Sequence, residues 1–226
     1  MIPEFADPLP YLLKRYGIHV LYPLLVAAFL ILARKAGLRV FALSLAGFLV
    51  LVLLLAYLGQ SYVIFHPIRE VKATPAQHGL SFSRERLATA DGESLFAWFV
   101  PGEENRPVVL FCHGNASSVS DPSYLRFLQL AHGMGLSVLH FDYRGFGKST
   151  GTPSEEGLYR DAEAAWEHLR GEGYAPGDIV IWGKSLGGGP ASYLAAGHPD
   201  CRGLVLESTF TSAEDTTRRY VPFLPA

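Results

Sequence analysis

Residues 178–189 read DIVIWGKSLGGG, in which an apolar run is followed by the pattern G-x-S-x-G from Gly183 to Gly187. The apolar run is typical of a strand buried on both faces, and the residues after it are predicted to form a helix. Where this pattern joins a strand to a helix, a sharp turn lifts the serine hydroxyl above the carboxyl edge of the sheet. Glycine is expected at 183 and 187 because a side chain there would collide with the turn. Ser185 is therefore the candidate catalytic nucleophile.

The sequence on either side of this segment alternates between strand and helix patterns. Residues 91–94, DGES, predict a turn between two antiparallel strands, and Asp121-Pro122 predicts the start of a helix. Strands are predicted at 84–90, 95–100, 108–112, 136–141, 178–182 and 203–207, and helices at 121–134, 154–170 and 186–197. Strands and helices in alternation indicate an α/β protein, with a mostly parallel sheet and helices on both of its faces.

A serine nucleophile requires hydrogen-bond donors for the oxyanion of the tetrahedral intermediate. The main-chain N–H of Leu186 is one candidate, since it follows the nucleophile and lies at the start of a helix, where amides are unpaired. The loop after the 108–112 strand should supply the second donor, and there the sequence HGNA places Asn115. His113, in the same loop, is expected to brace the loop by hydrogen bonds rather than to act as the catalytic base.

Five motifs follow one another in the chain: FCHGNA at 111–116, FDYRGFGKS at 141–149, PSEEGL at 153–158, GKSLGG at 183–188 and LESTF at 206–210. From about residue 81 onward the sequence resembles the α/β-hydrolase fold, and more narrowly the membrane-anchored ABHD-type serine hydrolases and their bacterial relatives. The resemblance implies hydrolysis of esters or thioesters of lipid-like acyl groups, and a serine peptidase is the alternative. It also implies that the loop with Asp142 and Arg144 is structural, and we interpret these two residues as a bracing pair.

In such hydrolases the triad acid and histidine follow the nucleophile in the chain, after later strands. In this sequence His198 is the only histidine after Ser185, and it ends the helix behind the nucleophile. Asp200 and Asp215 do not have the position of a triad acid either, and the apolar strand at 203–207 would be left as an uncovered sheet edge. We therefore expect a hydrolase domain that is incomplete at its C-terminus, with the acid and histidine missing from this chain. The alternative is a non-catalytic, membrane-anchored remnant or ligand-binding protein.

The N-terminal part of the chain is much more apolar than the rest. Residues 40–58 are 19 consecutive residues without a charge. As a helix they are long enough to cross about 30 Å of hydrocarbon, so a transmembrane helix is predicted. A shorter run at 18–33 contains His19 and Pro23 and is a candidate second span, with an interfacial helix or the front of a hairpin as the alternatives.

These patterns divide the chain into three parts. The predicted organisation is a membrane anchor at 1–59, a tether at 60–80 and the hydrolase domain at 81–226. Arg34, Lys35 and Arg39 place three positive charges in the loop between the two apolar runs. By the positive-inside rule this loop is cytoplasmic, which puts the hydrolase domain on the extracytoplasmic side of the membrane.

Composition narrows the classes of partner. The chain has 19 Lys and Arg residues against 21 Asp and Glu, a net charge of −2, and no long basic run. Such a charge does not provide the positive surface that nucleic-acid binding needs, so no nucleic acid is expected as a partner. Cys112 and Cys201 lie far apart, and no Cys or His spacing indicates a metal site, so neither a metal nor an organic cofactor is implied. The expected partners are a small-molecule or lipid acyl substrate and a membrane.

Overall fold

The computed structural model describes residues 38–212, together with residues 23, 26–28 and 31. Contacts within the chain divide it into two compact units, Met1–Gln60 and Ser61–Ala226, and each is described by itself. Most of the candidate second span at 18–33 lies outside the described residues, and so does Asp215.

Helix α1 comprises Leu38–Ile64, 27 residues that include the whole apolar run noted above. Large apolar side chains on it are exposed, among them Leu43 at 74% and Leu53 at 66%. In the part of the chain that the structure describes, no helix is found that could cross a membrane. The segment 40–58 is thus a helix as predicted, but the structure does not show it to be a membrane span.

The second unit is built on one six-stranded sheet. Its strands are β1 (Ser83–Ala88), β2 (Ser94–Val100), β3 (Val108–Cys112), β4 (Ser137–Phe141), β5 (Ile179–Lys184) and β6 (Gly203–Glu207). They lie in the order β1-β2-β4-β3-β5-β6. The pairs β1 with β2 and β2 with β4 are antiparallel, and the other three pairs are parallel. The sheet is therefore mostly parallel and opens with an antiparallel pair, as the sequence predicts.

Three helices cover the two faces of this sheet: α2 (Pro122–Gly133), α3 (Glu155–Gly171) and α4 (Gly188–Gly197). Helix α2 contributes Leu125 and Leu128 to the core on one face, and α3 and α4 contribute Trp166 and Leu194 to the core on the other. Asp121 caps α2 as predicted, since its side chain accepts a hydrogen bond from Ser123 N, and Ser154 likewise caps α3 by accepting from Gly157 N. The carboxyl ends of the parallel strands meet at one edge of this sandwich, where the candidate site lies.

Two differences from the sequence-based expectation concern the site and its surroundings. The helix predicted to begin at Leu186 begins at Gly188, because a 3₁₀ turn at Ser185–Gly187 comes first. The tether was predicted at 60–80, and from Ile64 onward this segment makes hydrogen bonds with the rest of the second unit. Phe65 and Leu80 are buried in the cores of the second unit, which an unattached tether would not allow.

Strand β6 forms one edge of the sheet. Leu204 and Leu206 on it are 39% and 46% exposed, so this strand is apolar and only partly covered by the described residues. Residues 213–226 follow it and lie outside the described part.

Candidate active site

Ser185 occupies the turn between β5 and α4. Its φ is +51°, in the left-handed region that non-glycine residues rarely adopt. The residue is half-buried, and its main-chain carbonyl accepts a hydrogen bond from Thr209 Oγ1 at 2.8 Å. The sharp strand-to-helix turn expected from the sequence is therefore present at this residue.

Gly183 and Gly187 lie where the turn packs most tightly. A Cβ on Gly187 would overlap the carbonyl oxygen of Cys112 and come within 2.7 Å of that of His113. A Cβ on Gly183 would come within 2.5 Å of the Ala191 side chain in helix α4. Both glycines are thus required by close approach of the neighbouring backbone or helix, which was the reason given for them from the sequence.

The loop after β3 lies directly beside this turn. A Cβ on Gly114 would lie 3.5 Å from Ser185 Cβ, so the loop and the turn are in contact distance. Two tyrosines hold the loop: the Tyr124 hydroxyl accepts from Gly114 N at 3.0 Å, and the Tyr143 hydroxyl donates to the His113 carbonyl at 3.0 Å. The sequence analysis did not identify these tyrosines, because each lies in another element and no motif marks its contact.

The two main-chain amides considered as oxyanion donors flank this contact. Leu186 is the second residue of the 3₁₀ turn, and the first amides of a helical segment lack intrahelical acceptors. Within residues 38–212 the main-chain N–H of Asn115 donates to no main-chain carbonyl. The structure therefore brings Ser185, Leu186 and the 113–116 loop together at the carboxyl edge of the sheet.

His113 braces the loop, as expected from the sequence. Its Nδ1 lies 2.7 Å from the carbonyl oxygen of Gly114 and 3.1 Å from Ser117 Oγ, and its ring is fully buried. Burial lowers the pKa of His113 to about 4, because a charged imidazolium is poorly solvated there. Its Nε2 lies 3.7 Å from Asp142 Oδ1, which is too far for a hydrogen bond.

Asp142 and Arg144 do not form the pair expected from the sequence. Asp142 accepts a hydrogen bond from Val119 N at 2.8 Å, and burial raises its pKa to about 7. Arg144 turns to other partners: its Nη1 lies 2.7 Å from Asp91 Oδ2, and its Nη2 lies 2.8 Å from Asp161 Oδ1. Asp142 and Arg144 thus contact different parts of the structure and not each other. Asp142 bonds to the loop after β3, and Arg144 bonds to the β1–β2 turn and to helix α3.

The side chain of His198 contacts helix α3. Its Nε2 lies 2.9 Å from Glu163 Oε1, and its ring stacks on Trp166 with centroids 4.3 Å apart. Asp200 follows in the turn after α4 and precedes β6. Among the described residues no group of three or more His, Cys, Asp or Glu side chains could hold a metal ion.

Comparison with known proteins places this geometry in a family. Residues 103–224, more than half of the chain, match the Hydrolase_4 family model, described as "Serine aminopeptidase, S33". The α/β hydrolase domain-containing protein WAV2 of Arabidopsis thaliana is 35% identical over 174 residues, which are 73% of this chain and 56% of that protein. The uncharacterized membrane protein YNL320W of Saccharomyces cerevisiae is 34% identical over 159 residues, 67% of this chain and 52% of that protein.

A solved structure supports the same assignment. The esterase Pf2001 of Pyrococcus furiosus superposes with a TM-score of 0.60 at 25% identity, covering 72% of this chain and 63% of that chain. The chain spans about half the length of the curated relatives it matches. The turn at Ser185, the parallel sheet beneath it and these matches lead to one conclusion: the chain belongs to the α/β-hydrolase family, in its ABHD-type branch.

Proposed function

We propose that this protein is a serine hydrolase of acyl esters or thioesters, with Ser185 as nucleophile and the N–H groups of Leu186 and Asn115 as oxyanion donors. The observation that carries the proposal is the φ of +51° at Ser185. A left-handed conformation costs a non-glycine residue about 1–2 kcal/mol, and such strain clusters at active sites. A strained serine next to two candidate oxyanion donors, the N–H groups of Leu186 and Asn115, is the arrangement expected of a catalytic nucleophile.

In the proposed reaction Ser185 Oγ attacks the acyl carbon and gives its proton to a general base, and the alcohol or thiol leaves. Water then releases the carboxylic acid from the acyl-enzyme. Neither His113, buried in its loop, nor His198, bonded to Glu163, is assigned as the base. We propose that the triad acid and histidine are supplied by sequence that follows residue 226, which the greater length of the relatives supports.

We also propose that helix α1 attaches the hydrolase domain to the extracytoplasmic face of a membrane, where lipid-like acyl substrates would be available. The exposed apolar side chains of α1 support this attachment, and so does the name of the yeast relative. After alkaline extraction the full-length protein should remain with the membrane fraction, and a variant without residues 1–60 should not. Release of both proteins would contradict the attachment.

A fluorophosphonate probe tests the nucleophile, because it reacts only with an activated serine. In the protein extended by its natural sequence after residue 226, the probe should label Ser185, and Ser185→Ala should abolish labelling. Ser208→Ala is the matched control, because Ser208 also has a φ of +51° after a parallel strand. It should label as the wild type does, and labelling that persists in Ser185→Ala would overturn the assignment.

Assays with two kinds of substrate distinguish an esterase from an aminopeptidase, with the same extended protein. Hydrolysis of p-nitrophenyl acyl esters without cleavage of amino-acid p-nitroanilides is expected for an esterase, and the reverse would support the aminopeptidase description of the matched family model. If the extended protein neither takes the probe nor hydrolyses either substrate, the hydrolase proposal is overturned in favour of a non-catalytic binding protein.

A further inference from the structure

Residues 64–72, called the strap below, run from the last residue of helix α1 along the loops at the carboxyl edge of the sheet. Phe65 fixes the start of the strap, since it is 6% exposed and packs in the core. The strap then bonds to two loops. Gly147 N donates to Ile68 O at 2.8 Å and Arg69 Nη1 to Ser149 O at 3.3 Å in one loop. In the other loop, Ser118 Oγ and Ser120 Oγ donate to Glu70 O at 3.2 and 3.4 Å, and Ser120 Oγ accepts from Lys72 N at 3.2 Å.

The side chain of Asn115, the residue after Gly114 in the loop beside Ser185, also contacts the strap. Its Nδ2 donates to the carbonyl of Ile64 at 2.6 Å, and its Oδ1 accepts from His66 N at 2.9 Å. The same Oδ1 also accepts from Ala116 N at 3.0 Å. Both the nitrogen and the oxygen of the Asn115 carboxamide are therefore hydrogen-bonded. Together they connect the strap to the main chain of the 113–116 loop.

The loop needs such support because its backbone is strained. Ala116, the next residue, has a φ of +52°, a conformation that favours glycine. Strained residues persist only where surrounding contacts fix them, and the carboxamide of Asn115 is one of those contacts. The position of the Asn115 N–H therefore depends on residues about fifty positions earlier in the chain.

We propose that the Asn115 carboxamide is a positioning group, which clamps the loop to the strap at Ile64 and His66 and so keeps the Asn115 N–H aimed at the oxyanion. This inference rests on the proposed function. The strap is then part of the active-site support and not only a connection from helix α1. Donors for an oxyanion must lie within about 2.7–3.1 Å of it, and misplacement by about 1 Å can cost roughly 100-fold in rate.

Two substitutions at His66 test the clamp without changing Asn115. His66→Pro removes the main-chain N–H that Asn115 Oδ1 accepts, whereas His66→Ala keeps it, and both remove the imidazole. In the protein extended beyond residue 226, His66→Pro should slow fluorophosphonate labelling of Ser185 by about tenfold or more, with His66→Ala within about twofold of wild type. For p-nitrophenyl butyrate, kcat should fall in His66→Pro while KM stays the same, because the donor acts in the transition state.

Hydrogen exchange of the amides at 114–117 provides a readout that does not depend on catalysis. It should be faster in His66→Pro than in His66→Ala. Equal labelling rates in the two variants, with a labelled wild type, would overturn the inference alone. An unlabelled wild type with faster exchange in His66→Pro would overturn the proposed function and leave the clamp as a purely structural contact. If His66→Pro does not fold, Asn115→Asp, which puts an oxygen against the Ile64 carbonyl, should give the same loss of kcat.

Discussion

The guanidinium of Arg144 lies against the buried carboxylate of Asp161, with Nη2 and Nε at 2.8 and 2.9 Å from Oδ1. The main-chain N of Arg144 adds a bond to the other oxygen at 2.7 Å. Burial raises the pKa of Asp161 to about 6, although Arg144 acts in the opposite direction. The same arginine lowers the pKa of Asp91, in the β1–β2 turn, well below its usual range. One side chain thus ties the loop after β4 to helix α3 and to the first hairpin.

Replacement of Arg144 by methionine should be strongly destabilising. It leaves the carboxylate of Asp161 buried with the main-chain N–H of residue 144 but without its positively charged partner, and removal of one member of a buried ion pair costs about 3–5 kcal/mol. The matched control is Arg160→Met, since Arg160 contacts the same Asp91 but has a side chain that is 54% exposed. Its loss should cost about 0–1 kcal/mol. Urea unfolding of the wild type and both variants gives the comparison.

A double variant checks the cause of that loss. Adding Asp161→Asn to Arg144→Met should restore part of the free energy of unfolding, because no buried charge then lacks a partner. If Arg144→Met and Arg160→Met are equally destabilising, or the double variant is no more stable than Arg144→Met, the importance assigned to the buried pair is wrong.

The left-handed backbone conformation of Ser185 should lower the free energy of unfolding by a measurable amount. Ser185→Gly should have a free energy of unfolding about 1 kcal/mol higher than that of Ser185→Ala, because glycine accepts a positive φ and alanine does not. Neither variant has the hydroxyl, so neither should be labelled by the fluorophosphonate probe. Denaturant unfolding of the two proteins measures the difference. An alanine variant as stable as the glycine variant would show that the turn is not strained.

Substitution by alanine should have different effects on stability at Gly187, in the turn, and at Gly189, in helix α4. Gly187→Ala should be severely destabilising, because its Cβ would overlap the Cys112 carbonyl in the adjacent strand. Gly189→Ala, two residues later in helix α4, meets nothing within 4 Å, and should be neutral or stabilising by up to about 1 kcal/mol. Thermal unfolding of the two variants distinguishes a steric clash with the Cys112 carbonyl from a general effect of replacing glycine by alanine in this segment. Similar melting temperatures would contradict the steric role of Gly187.

The order of strands and helices could be predicted from the sequence because its signals are local. Apolar runs, an Asp-Pro helix start and the G-x-S-x-G turn each depend on residues within one element. The bond between Asn115 and Ile64 spans 51 positions, and that between Arg144 and Asp91 spans 53, so no local pattern announces either contact. For this reason the sequence did not reveal the contacts of the predicted tether with the domain, and it paired Arg144 with Asp142 rather than with Asp91 and Asp161.

The candidate site was predictable to a similar extent. The close approach that requires glycine at 183 and 187 is inherent in the motif, and so is the position of Ser185 at the strand end. The positive φ of Ala116 carries no sequence signal, because alanine does not favour that conformation. It results from the tertiary contacts that hold the loop.

Asp142 predicts a pH dependence of stability. Burial raises its pKa to about 7 from the ordinary value of 3.8 that applies in the unfolded chain. Between these values the folded protein holds a proton that the unfolded chain has released. The contribution of Asp142 to the free energy of unfolding is therefore complete below about pH 4 and is lost as the pH rises to about 7.

Asp142→Asn isolates this contribution, because the amide stays uncharged at every pH. From about pH 4 to about pH 7 the wild type should lose stability relative to the variant by a few kcal/mol, and the difference should stay constant above pH 7.

His113 acts in the opposite sense: burial lowers its pKa to about 4, so its contribution is present above about pH 6.5 and is lost as the pH falls through about 4. Because both proteins contain His113, its effect largely cancels in the difference. Urea unfolding at several pH values measures that difference, and parallel stability curves would show that the Asp142 carboxyl titrates normally in the fold.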